Sequence, residues 1–263
     1  MSLVSDVFAA AKAESRAALV GYLPAGFPTV SGSQDYLRSM VEAGCDLIEV
    51  GLPYSDPVMD GPTIQAAAEQ ALSAGFRVRD VFDVVSSVAE AGGRAVVMTY
   101  WNPVLKYGVD AFARDLAAAG GLGLITPDLV PDEADDWMAA SEAHGLDRVF
   151  LVAPSSTEDR IDMTARASSG FLYATAVMGV TGARDVVSSQ APELVARVRA
   201  HSSIPVGVGL GVKSGAQAAE IAGFADGVIV GSAFVSAANE GDAAVRALAA
   251  DLAKGVRSAA AIV

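Results

Sequence analysis

An α/β fold is predicted for this chain: a single (β/α)8 TIM barrel over residues 1–263, with an extra N-terminal helix and an additional helix after the second strand. Two observations carry it. Short apolar runs alternate with amphipathic stretches along the whole chain, without a linker or a break in composition, and that order implies a parallel sheet. Eight such units in 263 residues favour closure into a barrel over a doubly wound open sheet.

Residues 2–14 read as an amphipathic helix with Leu3, Val4, Val7 and Phe8 on one side. Ala17 to Leu23 is the first predicted strand, and Pro24 to Thr29 is a loop. A helix over 33–44 leads into the second strand at Leu47, and two helical stretches separated by Gly75 cover 62–91. Strand 95–100 is followed by Trp101-Asn102-Pro103, read as a turn, and then by helix 109–119. Strand 122–126, helix 132–143 and strand 148–152 continue the alternation, and Thr157-Glu158 marks a capped helix start. Strand 171–174, helix 190–200, strand 205–208, helix 214–222, strand 227–230 and a last helix over 240–256 complete the pattern.

Composition narrows the function. Hydrophobic residues are 52% and charged residues 19%, which supports a large core. The net charge of −13 argues against nucleic acid and anionic membranes as partners. Cys45 is the single cysteine, so no intrachain disulfide forms, and it reads as a packing residue at a helix end. His144 and His201 sit near the ends of predicted surface helices, which disfavours a histidine metal site or a Ser-His-Asp triad; no metal is expected. No leader or membrane span is legible, and a cytoplasmic protein is expected.

The chemistry concentrates between Leu47 and Gly61. In a strand, Leu47, Glu49 and Gly51 share one face, and Ile48 and Val50 share the other. If helices cover the second face, Glu49 points into the barrel, where a carboxylate is costly unless paired or protonated. Asp60 follows in a loop rich in Pro, Ser and Asp. Glu49 has a structural alternative as half of an ion pair, and Asp60 as the N-cap of the helix that begins at Pro62. Together they suggest acid/base chemistry on one small molecule at the barrel's C-terminal mouth.

Three glycine-rich turns follow the last three predicted strands: Gly179 to Gly182, Gly207 to Gly211, and Gly231-Ser232. Glycines that admit backbone N–H groups, set before helix N-termini, suit a phosphate and need no basic cluster. Gly207, Gly209 and Gly211 do not match the dinucleotide fingerprint, and Lys213-Ser214 is not a P-loop.

The run Ile48 to Gln65 resembles the tryptophan synthase alpha chain family, in whose order Pro24 to Thr29, Tyr100 to Pro103, Gly179 to Gly182, Gly209 to Gly211 and Gly231-Ser232 also fall. The resemblance implies a lyase that splits indole-3-glycerol phosphate into indole and glyceraldehyde 3-phosphate by a retro-aldol step in L-tryptophan biosynthesis. It implies Glu49, Asp60 and Tyr173 as catalytic residues, with Glu49 moving protons at indole C3 and the side-chain hydroxyl and Asp60 accepting from the indole N–H. It places the phosphate on backbone N–H groups of Gly182, Gly211, Gly231 and Ser232, and Thr181 on a mobile lid. Tyr22 and Tyr100 wall the indole pocket in the same comparison, or pack the barrel top. No cofactor is implied on this chain. The implied partner is a beta chain carrying pyridoxal phosphate, in an α2β2 heterotetramer, faced by loops containing Pro53, Asp56 and Asn102. The sequence departs from the family pattern at Met59, at Val130 and over Ala176 to Met178. A free-standing indole-releasing lyase and a non-catalytic phosphate-binding barrel subunit are the alternatives. A barrel with a strand-borne catalytic lysine is disfavoured, because no predicted core strand carries one.

Overall fold

The computed structural model describes residues 3–175, 190–209 and 211–258. In chain order the elements are α1 (Leu3–Ala13), β1 (Ala18–Pro24), α2 (Val30–Glu42), β2 (Leu47–Gly51), α3 (Pro62–Ser73), α4 (Asp80–Glu90) and β3 (Ala95–Met98). Then come α5 (Trp101–Tyr107), α6 (Val109–Ala118), β4 (Gly123–Ile125), a short 3-10 turn at Pro131–Glu133, α7 (Asp135–His144), β5 (Asp147–Val149) and β6 (Leu151–Val152). The remainder is α8 (Glu158–Ala167), β7 (Leu172–Thr175), α9 (Gln190–His201), β8 (Val206–Gly209), α10 (Gly215–Ala222), β9 (Gly227–Val230), α11 (Ser232–Glu240) and α12 (Asp242–Ser258).

All strand pairs are parallel, and the ladder runs β5-β4-β3-β2-β1-β9-β8-β7-β6. Its two outer strands are consecutive in the chain, separated by Phe150 alone. The fifth predicted strand is thus one segment that pairs with β4 through Asp147–Val149 and with β7 through Leu151–Val152. The Phe150 carbonyl accepts from Tyr173 N at 3.1 Å across the join. The sheet therefore closes, and the eight predicted strands become a barrel with its fifth strand kinked.

Two apolar layers follow from the strand alternation. Val20, Leu47, Val96, Ile125, Val149, Phe171, Tyr173 and Ile229 fill the barrel interior. Leu19, Ile48, Val50, Val97, Leu124, Val208 and Val228 face the helices. Leu47 inside and Ile48 and Val50 outside is the predicted alternation of β2. The extra helix α1 closes the barrel floor. Val4, Phe8 and Ala11 join the interior cluster, the Phe8 and Phe171 rings lie 5.0 Å apart, and Val4 N donates to Asp147 Oδ2 at 3.1 Å.

Four local expectations are corrected. The segment Trp101-Asn102-Pro103 is the first turn of α5 and not a loop; proline is tolerated there because its missing N–H has no helical partner to lose. α2 begins at Val30, three residues early, because the Thr29 side chain caps it by accepting from Gly32 N at 3.0 Å. The last predicted helix, 240–256, is α12, which begins only after Gly241 with φ +107°, and a further helix, α11, precedes it over Ser232–Glu240 where none was expected. Gly207 and Gly209 belong to β8 and not to a turn. A Cβ at Gly207 would meet the Phe171 ring at 3.0 Å, and one at Gly209 would meet Tyr173 Oη at 2.3 Å. Both glycines make room for aromatic rings inside the barrel.

Candidate active site

Glu49 faces into the barrel from β2, with Tyr22 of β1 and Val96 of β3 as its register partners. It is 1% exposed, and its Oε1 has no hydrogen-bond partner. Burial alone pushes its carboxyl up to about 8, because a carboxylate loses hydration there without gaining a counter-charge. Among the described residues no basic side chain pairs with it, against the ion-pair alternative. A carboxyl in this state is protonated at neutral pH and can give a proton before it takes one.

Asp60 stands in the irregular segment between β2 and α3. It does not cap α3: Gly61 occupies the N-cap, without a side-chain bond. The Asp60 carboxylate accepts from Tyr100 Oη at 3.2 Å through Oδ1. Partial burial raises its pKa, and the Tyr100 bond opposes the rise.

Three tyrosines bind the pair into one mouth. Tyr22 and Tyr173 are buried at 8% and 9% exposure. Burial first, and then the charges of both Asp60 and Glu49, drive each phenol well above its ordinary value. Tyr100 is pushed up to about 12 by burial and then by the charge of Asp60. Glu49 and Asp60 thus share the same two phenols as neighbours. A Cβ on Gly51 would lie 2.4 Å from Tyr22 Oη, so the Tyr22 ring lies over Gly51, two residues beyond Glu49 on the same strand face.

Gly231 lies at the same mouth. A Cβ there would meet Tyr22 at 3.5 Å and Ile64 at 3.7 Å. It is the N-cap of α11, whose first residue is Ser232, so the first backbone donors of that helix are without helical partners and face the end of β9. Gly211, with φ +65°, follows the adjacent strand β8. These donors suit an anion without a basic side chain. Thr181 and Gly182 lie outside the described residues.

The surrounding loops divide by burial. Of the residues expected on partner-facing loops, Pro53 is buried, whereas Asp56 and Asn102 are exposed. Asn102 Nδ2 donates to Tyr54 Oη at 3.3 Å, and the Tyr54 and Tyr100 rings are 5.3 Å apart. Sequence reasoning missed Tyr54. Its only signal was its place in the loop that leads from Glu49 to Asp60. His144 and His201 are engaged with carboxylates: Nε2 of His144 is 2.9 Å from Asp110 and that of His201 is 2.7 Å from Glu158. Among the described residues, no cluster of three or more His, Cys, Asp or Glu could hold a metal, and no helix is long and apolar enough to cross a membrane.

This arrangement places a buried acid, a less buried carboxylate and the N-terminus of α11 at one end of the barrel. The comparisons point the same way. The model of the family described as tryptophan synthase alpha chain matches residues 8–262. The tryptophan synthase alpha chain of Nocardia farcinica is 70% identical over 258 residues, covering 98% of this chain and 97% of its own length. That of Mycobacteroides abscessus is 66% identical over 256 residues, 97% of this chain and 98% of its own. A solved structure of Mycobacterium tuberculosis tryptophan synthase superposes with a TM-score of 0.95 at 65% identity, covering 97% of this chain and 98% of that one. The chain belongs to the tryptophan synthase alpha chain family and is a lyase.

Proposed function

We propose that residues 1–263 act as one catalytic unit that cleaves indole-3-glycerol phosphate to indole and glyceraldehyde 3-phosphate, with Glu49 and Asp60 at opposite ends of the reacting group. The observation that carries this reading is the shared mouth: Tyr22, the register partner of Glu49, reaches over Gly51 and lies beside Gly231, and Asp60 is bonded to Tyr100 at the end of the neighbouring β3 connection. Glu49 enters protonated and gives its proton to indole C3. The ring nitrogen becomes cationic, and its N–H is held by the Asp60 carboxylate. Glu49, now ionised, takes the proton of the side-chain hydroxyl. The O–H electron pair becomes the new carbonyl, the C–C bond breaks, and its electrons return to the indole ring. Glu49 ends protonated, as it began. Tyr173 and Tyr22 enclose the reacting carbons, Tyr100 flanks the indole side, and the backbone N–H groups of Gly211, Gly231 and Ser232, together with Gly182, hold the phosphate.

The partner is a beta chain carrying pyridoxal phosphate, in an α2β2 assembly. Val58, Leu105 and Val130 are exposed at 69%, 55% and 44% on the segments that follow β2, β3 and β4. With Asp56 and Asn102 they supply a partly apolar surface beside the mouth, of the kind partners bury.

The test is indole release from indole-3-glycerol phosphate by the wild type, Glu49→Gln and Asp60→Asn, with and without a beta chain. Loss of cleavage in both variants with substrate binding retained is expected, as is faster turnover of the wild type with the partner. Unchanged cleavage by Glu49→Gln sinks the mechanism; absence of a complex and of any stimulation leaves a free-standing lyase.

A further inference from the structure

Asp60 sits on an irregular loop, yet its task requires one carboxylate oxygen to be aimed at a ring N–H. Something rigid must orient it. Tyr100 is that rigid point. It ends the β3 connection as the N-cap of α5, in extended backbone geometry. Its own backbone is pinned on both sides: Thr99 Oγ1 donates to the Tyr100 carbonyl at 3.0 Å, and Trp101 N donates to Asp128 Oδ1 at 2.8 Å. The Tyr54 ring packs against its face at 5.3 Å. The hydroxyl therefore comes from the barrel scaffold and not from the loop. It meets the loop twice. Met59 N donates to Tyr100 Oη at 3.0 Å, and Tyr100 Oη donates to Asp60 Oδ1 at 3.2 Å.

We propose that Tyr100 is a positioning residue for the cleavage reaction: by accepting from Met59 N–H and donating to Asp60 Oδ1, its hydroxyl fixes the loop and leaves Asp60 Oδ2 directed at the substrate nitrogen. The backbone donor at Met59 matters because it settles the direction of the phenol's proton. An oxygen that already accepts from Met59 turns its own O–H toward the carboxylate. The role rests on the reading of Asp60 as the acceptor of the indole N–H, and it differs from that of a pocket wall, which a phenylalanine would fill equally well.

The bond also sets the charge state of Asp60. Among the described residues Tyr22, Tyr100 and Tyr173 are the titratable groups that feel its charge, and the hydroxyl of Tyr100 holds its pKa down against burial. Without that hydroxyl the carboxyl protonates at higher pH.

The experiment compares wild type, Tyr100→Phe and Asp60→Asn in indole release from indole-3-glycerol phosphate across pH 5 to 9. Tyr100→Phe is expected to lower kcat by about tenfold, the scale of one hydrogen bond to a charged group, while KM changes by less than about twofold. Its acidic limb is expected to move to higher pH. A 13C titration of the Asp60 carboxyl reads the same shift without turnover. Incorporating 3-fluorotyrosine at position 100 makes the hydroxyl a stronger donor with the ring retained, and is expected to move that titration to lower pH. Wild-type kcat and an unmoved limb in Tyr100→Phe, with Asp60→Asn inactive, overturn the role of Tyr100 alone. Full activity in Asp60→Asn overturns the reading on which it rests.

Discussion

Tyr22 and Glu49 are register partners across the β1–β2 ladder, and the Tyr22 ring extends over Gly51 on the mouthward side of Glu49. The phenol thus screens the carboxyl from solvent. This is the structural reason that Glu49 is 1% exposed at the open end of a barrel, and its consequences are measurable.

Glu49 destabilises the native state at high pH. Its carboxyl is at about 8 in the folded chain, raised from 4.5 by burial. The folded state therefore holds the proton more tightly than the unfolded state, and stability falls as pH rises from about 4.5 through 8. The shift corresponds to at most about 5 kcal/mol. Glu49→Gln is expected to match the wild type in denaturant unfolding at pH 5 and to exceed it at pH 8.5. Parallel pH slopes in the two proteins would show that the carboxyl titrates normally.

Cleavage requires Glu49 protonated and Asp60 ionised. The profile of kcat/KM against pH is expected to fall on the alkaline side near 8, and on the acid side at a pH above the ordinary aspartate value of 3.8. Asp60→Glu keeps both limbs if the longer acid still reaches; Glu49→Asp lowers the plateau. A profile flat through pH 9 excludes Glu49 as the initial acid.

Gly51 is a space requirement of the mouth. An alanine methyl would sit 2.4 Å from Tyr22 Oη and 2.6 Å from two ring carbons. Gly51→Ala is expected to destabilise by about 1–3 kcal/mol through overpacking, and to lower kcat by about tenfold or more by displacing the phenol. Thermal unfolding and steady-state kinetics report the two effects separately. Retention of both wild-type values contradicts the placement of the ring.

Ser232 separates fold stability from phosphate affinity. At the first position of α11 an aspartate interacts favourably with the helix dipole, by about 0.3–1 kcal/mol. The same charge repels a phosphate bound at that terminus. Ser232→Asp is expected to unfold at an equal or slightly higher temperature and to raise KM by about tenfold or more. An unchanged KM removes Ser232 from the cradle.

Phe8 holds the opposite end. It is 3% exposed, stacks on Phe171 at 5.0 Å and occupies the space above Gly227. Phe8→Ala is expected to cost about 3–5 kcal/mol in urea unfolding, with kcat at wild-type level below the transition. A loss of kcat in fully folded protein would mean that the floor is coupled to the mouth.

Much of this molecule was legible from local pattern. The alternation of Leu47, Ile48, Glu49 and Val50 placed Glu49 inside the barrel, because side-chain direction in a strand has period two and needs no knowledge of partners. Val4, Val7 and Phe8 marked an apolar helix face, though not that it would stopper the barrel. Local rules erred where two structures satisfy the same local preference. Proline at position 103 punctuates a turn and also fits the first turn of a helix. Asp60 before Gly61-Pro62 fits an N-cap, but its carboxylate bonds a hydroxyl forty residues away. Arg148 to Val152 reads as one strand, and only closure of the sheet divides it at Phe150.

By itself the sequence determined the order of elements, the inward face of β2 and the glycines that leave room for rings or anions, since hydrophobic period and backbone freedom are properties of neighbours along the chain. Tertiary structure alone decided that Glu49 is dry, that Tyr22 and Tyr173 feel both acids, and that Tyr100 meets Asp60. Those relations join side chains from separate strands, and desolvation and hydrogen-bond direction exist only once the barrel has brought the strands together.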